Sequence, residues 1–77
     1  MTFELFTDVA LAVDVPEHRL RRGDVVKLVE RHPAPAGETG YSVEVLNALG
    51  DTLKVVALPA SALEELREDE ILCARAF

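Results

Sequence analysis

Between Tyr41 and Leu46 the chain alternates, with Tyr41, Val43 and Val45 on one side and Ser42 and Glu44 on the other. That is the period of two expected of a half-buried strand. Thr52–Leu58 returns after Asn47-Ala48-Leu49-Gly50-Asp51, a run of turn formers, so the two stretches read as a hairpin with Leu53, Val55 and Ala57 as core positions. Upstream, Leu20-Arg21-Arg22-Gly23-Asp24 reads as a turn. Gly23 can take a positive φ, Asp24 can bond its own backbone, and Val25, Val26, Leu28 and Val29 follow as an apolar wall, so the stretch Leu20–Glu30 is a turn feeding a strand.

The first apolar stretch is ambiguous. Phe6, Val9, Ala10 and Val13 fit a helix, whereas Val9, Leu11 and Val13 fit a strand. Val15 precedes Pro16 and is pushed towards extended geometry, which favours a strand over Val9–Val13, with room for a short helical turn near Glu4–Phe6. Pro16–Arg19 and the proline- and glycine-bearing His32–Gly40 read as loops. Pro59 ends the second hairpin strand, and Pro59–Leu63 suits one 3₁₀ turn, with Leu63 and Leu66 capping the core. Ile71–Phe77 is apolar enough to be a last strand. The whole, residues 1–77, reads as one all-β domain, a small and strongly bent β-barrel of about five short strands with a short 3₁₀ turn.

Composition narrows the chemistry. A chain of 77 residues buries only about 60% of the surface its unfolded form exposes, so the core is thin. Cys73 is the single cysteine, which excludes an internal disulfide and a cysteine-rich zinc site and suits a reducing cytoplasm. Met1–Glu4 lacks the basic start of a leader, and no apolar run approaches a membrane span. Fourteen acidic against eight basic residues give a net charge of −6, which repels nucleic-acid backbones. Phe3, Phe6, Tyr41 and Phe77 are too few aromatics for a base-stacking platform or a proline-peptide groove.

Catalytic constellations are missing from the sequence. His18 and His32 stand fourteen positions apart without a second ligand at metal spacing, and Ser42 and Ser61 lack a nucleophile elbow. Cys73 reads as a small core hydrophobe, and Gly37–Gly40 lacks the lysine of a phosphate loop. Arg22-Gly23-Asp24 spells the adhesion tripeptide, which in a cytoplasmic chain is a chance match. No cofactor and no metal is expected. Two charged clusters are left as candidate partner-binding residues. Arg19, Arg21 and Arg22, beside His18, can grip carboxylates through bidentate bonds, with Glu17 and Asp24 as local counter-charges. Glu64, Glu65 and Glu68, within the acidic run Glu64–Glu70, can dock on a basic partner as an antidote protein would. Phe77 completes the set, as an exposed anchor for a two-fold contact if Ile71–Phe77 forms a free strand edge.

Asp8-Val9-Ala10-Leu11, Val15-Pro16-Glu17-His18, Leu20-Arg21-Arg22-Gly23-Asp24-Val25, Tyr41–Val45 and Ala57-Leu58-Pro59-Ala60 together resemble the bacterial proteins grouped as domain of unknown function 4926, over roughly residues 4–72. The resemblance implies a stand-alone SH3-like barrel without an assigned activity, and it brings no catalytic residues. This chain has Val26-Lys27 where such proteins commonly have a small residue or glycine. A shorter likeness, Arg22–Leu28, is to the KOW motif of ribosomal and transcription proteins, although here the strand runs into Glu30-Arg31-His32-Pro33 rather than a lysine- and glycine-rich turn. The expectation is a non-enzymatic interaction module with a protein partner, regulatory or antidote-like. The alternative is a KOW-like nucleic-acid or ribosome-associated accessory factor.

Overall fold

The computed structural model describes residues 3–77, and it settles the ambiguous first stretch as a strand, β1 (Asp8–Leu11). Of the run Met1–Glu4, Met1 and Thr2 lie outside the described residues. Val9, Ala10 and Leu11 are all buried. Successive side chains of a strand point to opposite faces, so β1 is covered on both. The strand stops short of Val13, which is 44% exposed; the Ala12 N–H still reaches the Ala62 carbonyl at 2.7 Å, one step beyond the pair of Leu11 with Leu63.

Four further strands follow: β2 (Val25–His32), β3 (Gly40–Leu46), β4 (Thr52–Pro59) and β5 (Leu63–Glu65). All neighbours pair antiparallel in one sheet, in the order β4-β3-β2-β1-β5. Single 3₁₀ turns occupy Pro16–His18 and Ala60–Ala62, the second within the stretch expected for one. The all-β expectation of about five short strands therefore holds. β4 and β5 are the two edges of the sheet and do not pair with each other, so the barrel is not closed by a ladder. All five strands nevertheless feed one core, with Val9 and Leu11, Val26 and Leu28, Tyr41, Val43 and Val45, Val56 and Leu58, and Leu63 in a single cluster. A single sheet achieves that only by curling around its own apolar face.

β3 follows its alternation, with Tyr41, Val43 and Val45 buried. β4 does not. Val56 and Leu58 are the buried positions, whereas Leu53, Val55 and Ala57, expected in the core, are exposed. The cause lies at the start of the return strand. Val45 faces Lys54 and Leu46 faces Thr52, so Leu53 is an extra residue at a bulge. Beyond it Val56 stands opposite Val43 and Leu58 opposite Tyr41, and residues directly opposite share a face. The turn that sets this register is held by Asn47, whose Oδ1 accepts the N–H groups of Leu49 and Asp51 at 3.0 and 2.9 Å.

The end of the chain also differs from expectation. Ile71–Phe77 carries no strand, and Ile71 and Leu72 are 92% and 72% exposed. The fifth strand is instead Leu63–Glu65, in the free edge beside β1, where Leu63 pairs with Leu11. Leu63 is buried as expected, but Leu66, 37% exposed, does not cap the core. Cys73 is exposed rather than a core residue, because a segment outside the sheet has no buried face. No helix of the described residues is long and apolar enough to cross a membrane.

Candidate functional site

Between β1 and β2 the chain makes an excursion whose neck is a bridge between Val15 and Leu20. Both are buried and belong to the core, so the loop is plugged into the sheet it leaves. At its tip the 3₁₀ turn Pro16–His18 is closed by Arg19, which adopts a left-handed φ of 58° and donates its N–H to the Pro16 carbonyl at 3.0 Å. The chain then reverses at Gly23, φ 92°, whose N–H bonds the Leu11 carbonyl at 2.8 Å.

Two aspartates hold the backbone of this reversal. Asp24 Oδ2 accepts the Arg21 N–H and Asp14 Oδ1 accepts the Arg22 N–H, each at 2.8 Å. The local acids thus serve the peptide groups of the arginines rather than their guanidinium groups. Asp24 does form an ion pair, but with a cation from far along the chain. Arg75 Nε donates to Oδ1 at 2.9 Å and Nη2 to Oδ2, while Nη2 also donates to the Arg19 carbonyl at 3.0 Å. This two-pronged contact holds the Asp24 carboxyl below its ordinary value, against the opposing effect of partial burial, with help from the Arg21 N–H. It raises Arg75 in return.

The same segment brings Phe77 to the loop. Its ring lies 4.7 Å from the Arg19 guanidinium carbon and 5.7 Å from the Lys54 ammonium of β4, within the range of cation–π attraction. A groove of about 390 Å³ results, with Asp14, Pro16, Arg19 and Arg21 on the loop side and Arg75 and Phe77 on the other.

Of the residues picked out from sequence, Arg19, Arg21 and Phe77 therefore meet at one place, with Arg22 next to them. Glu64 and Glu65 are exposed on the edge strand β5, and Glu68 is exposed in the segment beyond it, so the acidic set forms no part of the groove. Part of the acidic run is satisfied locally, since Arg67 pairs with Asp69 at 3.2 Å and donates its N–H to Glu70 at 2.6 Å. A strand-edge dimer at Ile71–Phe77 has no strand there to build on. The bond from Asp24 to its own turn follows the expectation, whereas Arg75, Lys54 and the pairing of Asp24 with Arg75 were not foreseen. The one available signal was a lone arginine in an otherwise apolar stretch.

Among the described residues, ion pairs join only Arg75 with Asp24, Arg67 with Asp69, and His32 with Glu30. Among these residues the guanidinium groups of Arg19, Arg21 and Arg22 make no ion pair. His32 offers the nearest approach to catalytic geometry, with Nε2 2.7 Å from Ser42 Oγ and 3.6 Å from Glu30 Oε1. Serine and carboxylate address the same nitrogen, so Glu30 does not orient the imidazole from its far side as a triad acid does. Ser61, through its N–H and hydroxyl, is engaged with Glu38 at 3.0 and 2.8 Å. No group of three His, Cys, Asp or Glu able to hold a metal occurs among the described residues.

A family model described as Domain of unknown function (DUF4926) matches residues 5–65. The match ends with the last residue of β5, so it covers the sheet and leaves the segment bearing Arg75 and Phe77 beyond it. No curated protein and no solved structure matches the chain.

Proposed function

The chain belongs to the DUF4926 family, and from that starting point we propose that it is a non-enzymatic interaction module whose arginine loop holds an acidic segment of a partner protein. The observation that carries this reading is the set of unpaired guanidinium groups. Arg19, Arg21 and Arg22 share one short loop rooted in the core through Val15 and Leu20, and none of the three makes an ion pair with a carboxylate of the described residues. Arginine's planar fork suits bidentate recognition of carboxylates, and a rigid base lowers the cost of ordering it. The net charge of −6 opposes any polyanion at long range, which favours a protein segment carrying a few carboxylates over a nucleic-acid backbone charged at every residue. The single cysteine suits work in the cytoplasm.

The test is an NMR titration at low salt with a peptide of alternating glutamate and alanine, run beside a single-stranded RNA of equal charge. The reading expects amide and guanidinium shifts centred on Arg19–Arg22 on adding the peptide. These are lost in an Arg19→Glu, Arg21→Glu, Arg22→Glu variant and kept when Glu64, Glu65 and Glu68 are changed to lysine. Peptide shifts centred elsewhere would overturn it, and tighter binding of the RNA at the same loop would favour an accessory factor of the KOW kind.

A further inference from the structure

We propose that residues 66–77 form a displaceable strap, which occupies the arginine loop through Phe77 and must leave before an acidic protein segment can reach Arg19 and Lys54. The inference rests on the reading of that loop as the partner site. Its first support is the manner of attachment. The strap joins no ladder, and Ile71, Leu72 and Cys73 face solvent. Arg67 bonds only within the segment. What ties the strap to the sheet is concentrated at its far end, in the contacts of Arg75 with Asp24 and the Arg19 carbonyl and in the Phe77 ring. A segment with few buried apolar contacts belongs to the low-stability part of a structure and opens locally without unfolding the rest.

The second support is position. A carboxylate bridging Arg19 and Lys54 would lie between the two cations, and the Phe77 ring is the group found within 4.7 Å of one and 5.7 Å of the other. Ring and carboxylate compete for the same two charges. Arg75 anchors the strap beside them without adding to the competition, because its own charge is spent on Asp24. Release and binding are therefore linked, and whatever loosens the strap strengthens the partner contact, up to the limit set by the fraction of chains in which the strap is closed.

Phe77→Ala separates the strap from the loop chemistry, since it leaves every charge in place and alters a residue that is 40% exposed and outside the sheet. With the fluorescein-labelled glutamate–alanine peptide as probe, anisotropy titrations of the full chain at low salt should show about 5-fold or more tighter binding to the variant, the lower end of ordinary coupling between sites. In the unaltered chain, saturation with the same peptide should move the Arg75 Nε–H resonance to the position of a free guanidinium. Equal or weaker binding by Phe77→Ala would overturn the strap while leaving the arginine loop as the binding surface. If neither protein binds the peptide, the reading of the loop falls and the strap with it.

Discussion

The hydroxyl of Tyr41 accepts the backbone N–H of Phe3 at 3.0 Å, while their rings meet edge to face with centroids 5.7 Å apart. Thirty-eight positions separate the two residues, and both are buried. This contact fastens the segment leading into β1 to the middle of the sheet. Tyr41→Phe keeps the ring and removes the acceptor, leaving a buried N–H without a partner. The expected cost is about 1–3 kcal/mol. In a domain of this size each kcal/mol lowers the melting temperature by roughly 4–8 °C, which a thermal denaturation followed by circular dichroism resolves.

Gly23 provides a second test of how the sheet is entered. Its φ of 92° lies where side chains are strained, yet a Cβ built there meets nothing within 4 Å. The cost of substitution is thus one of backbone conformation, not of crowding. Gly23→Val should be more destabilising than Gly23→Ala, because a β-branched side chain tolerates positive φ least. The double change Arg21→Ala, Arg22→Ala should leave the melting temperature nearly unaltered, since Asp24 and Asp14 bind the backbone of these residues and not their side chains. A Gly23→Val protein melting with the unaltered chain would show that the turn does not govern folding.

The parity of β4 makes a third prediction. Leu58, opposite Tyr41 and 6% exposed, should cost about 2–5 kcal/mol when cut to alanine. Leu53→Ala and Val55→Ala, on the exposed parity, should stay within about 0.5 kcal/mol. Urea denaturation of the three variants decides between the two faces. The reverse ranking would mean that the bulge at Leu53 is absent in solution.

β3 and β4 also show what was legible in the chain and what was not. In β3 only one parity is apolar as far as Val45, so Tyr41, Val43 and Val45 announce the buried face by themselves. In β4 both parities carry apolar residues, and the choice falls to a one-residue bulge that only the pairing with β3 defines. β5 was hidden for a related reason. Three residues with one apolar side chain make no pattern, and the strand exists because β1 offers a free edge. At the candidate site the arginines of the loop were visible as a cluster. The pairing of Arg75 with Asp24 spans 51 positions and follows from the path of the segment after β5, which no local spacing encodes.

That pairing sets the last prediction, on pH. The Asp24 carboxyl is held below its ordinary value of 3.8, chiefly by the hydrogen bond from Arg75 and further by the Arg21 N–H. A carboxyl whose value is lower in the folded than in the unfolded state binds its proton less readily when folded, so it favours folding above the unfolded value. The contribution is complete at neutral pH and is lost as pH falls below about 4 and through the folded value. Asp24→Asn should therefore lower the melting temperature at pH 7 and narrow its gap to the unaltered chain as pH drops towards 3. Arg75→Ala should reproduce most of both effects, because Arg75 is the largest cause of the shift, while Asp24 keeps the Arg21 N–H. Combining the two changes should cost little more than Asp24→Asn alone, since each removes the same contact. Melting curves of the four proteins from pH 3 to pH 7 provide the comparison, and a gap that stays constant across that range would detach Asp24 from the acid limb of stability.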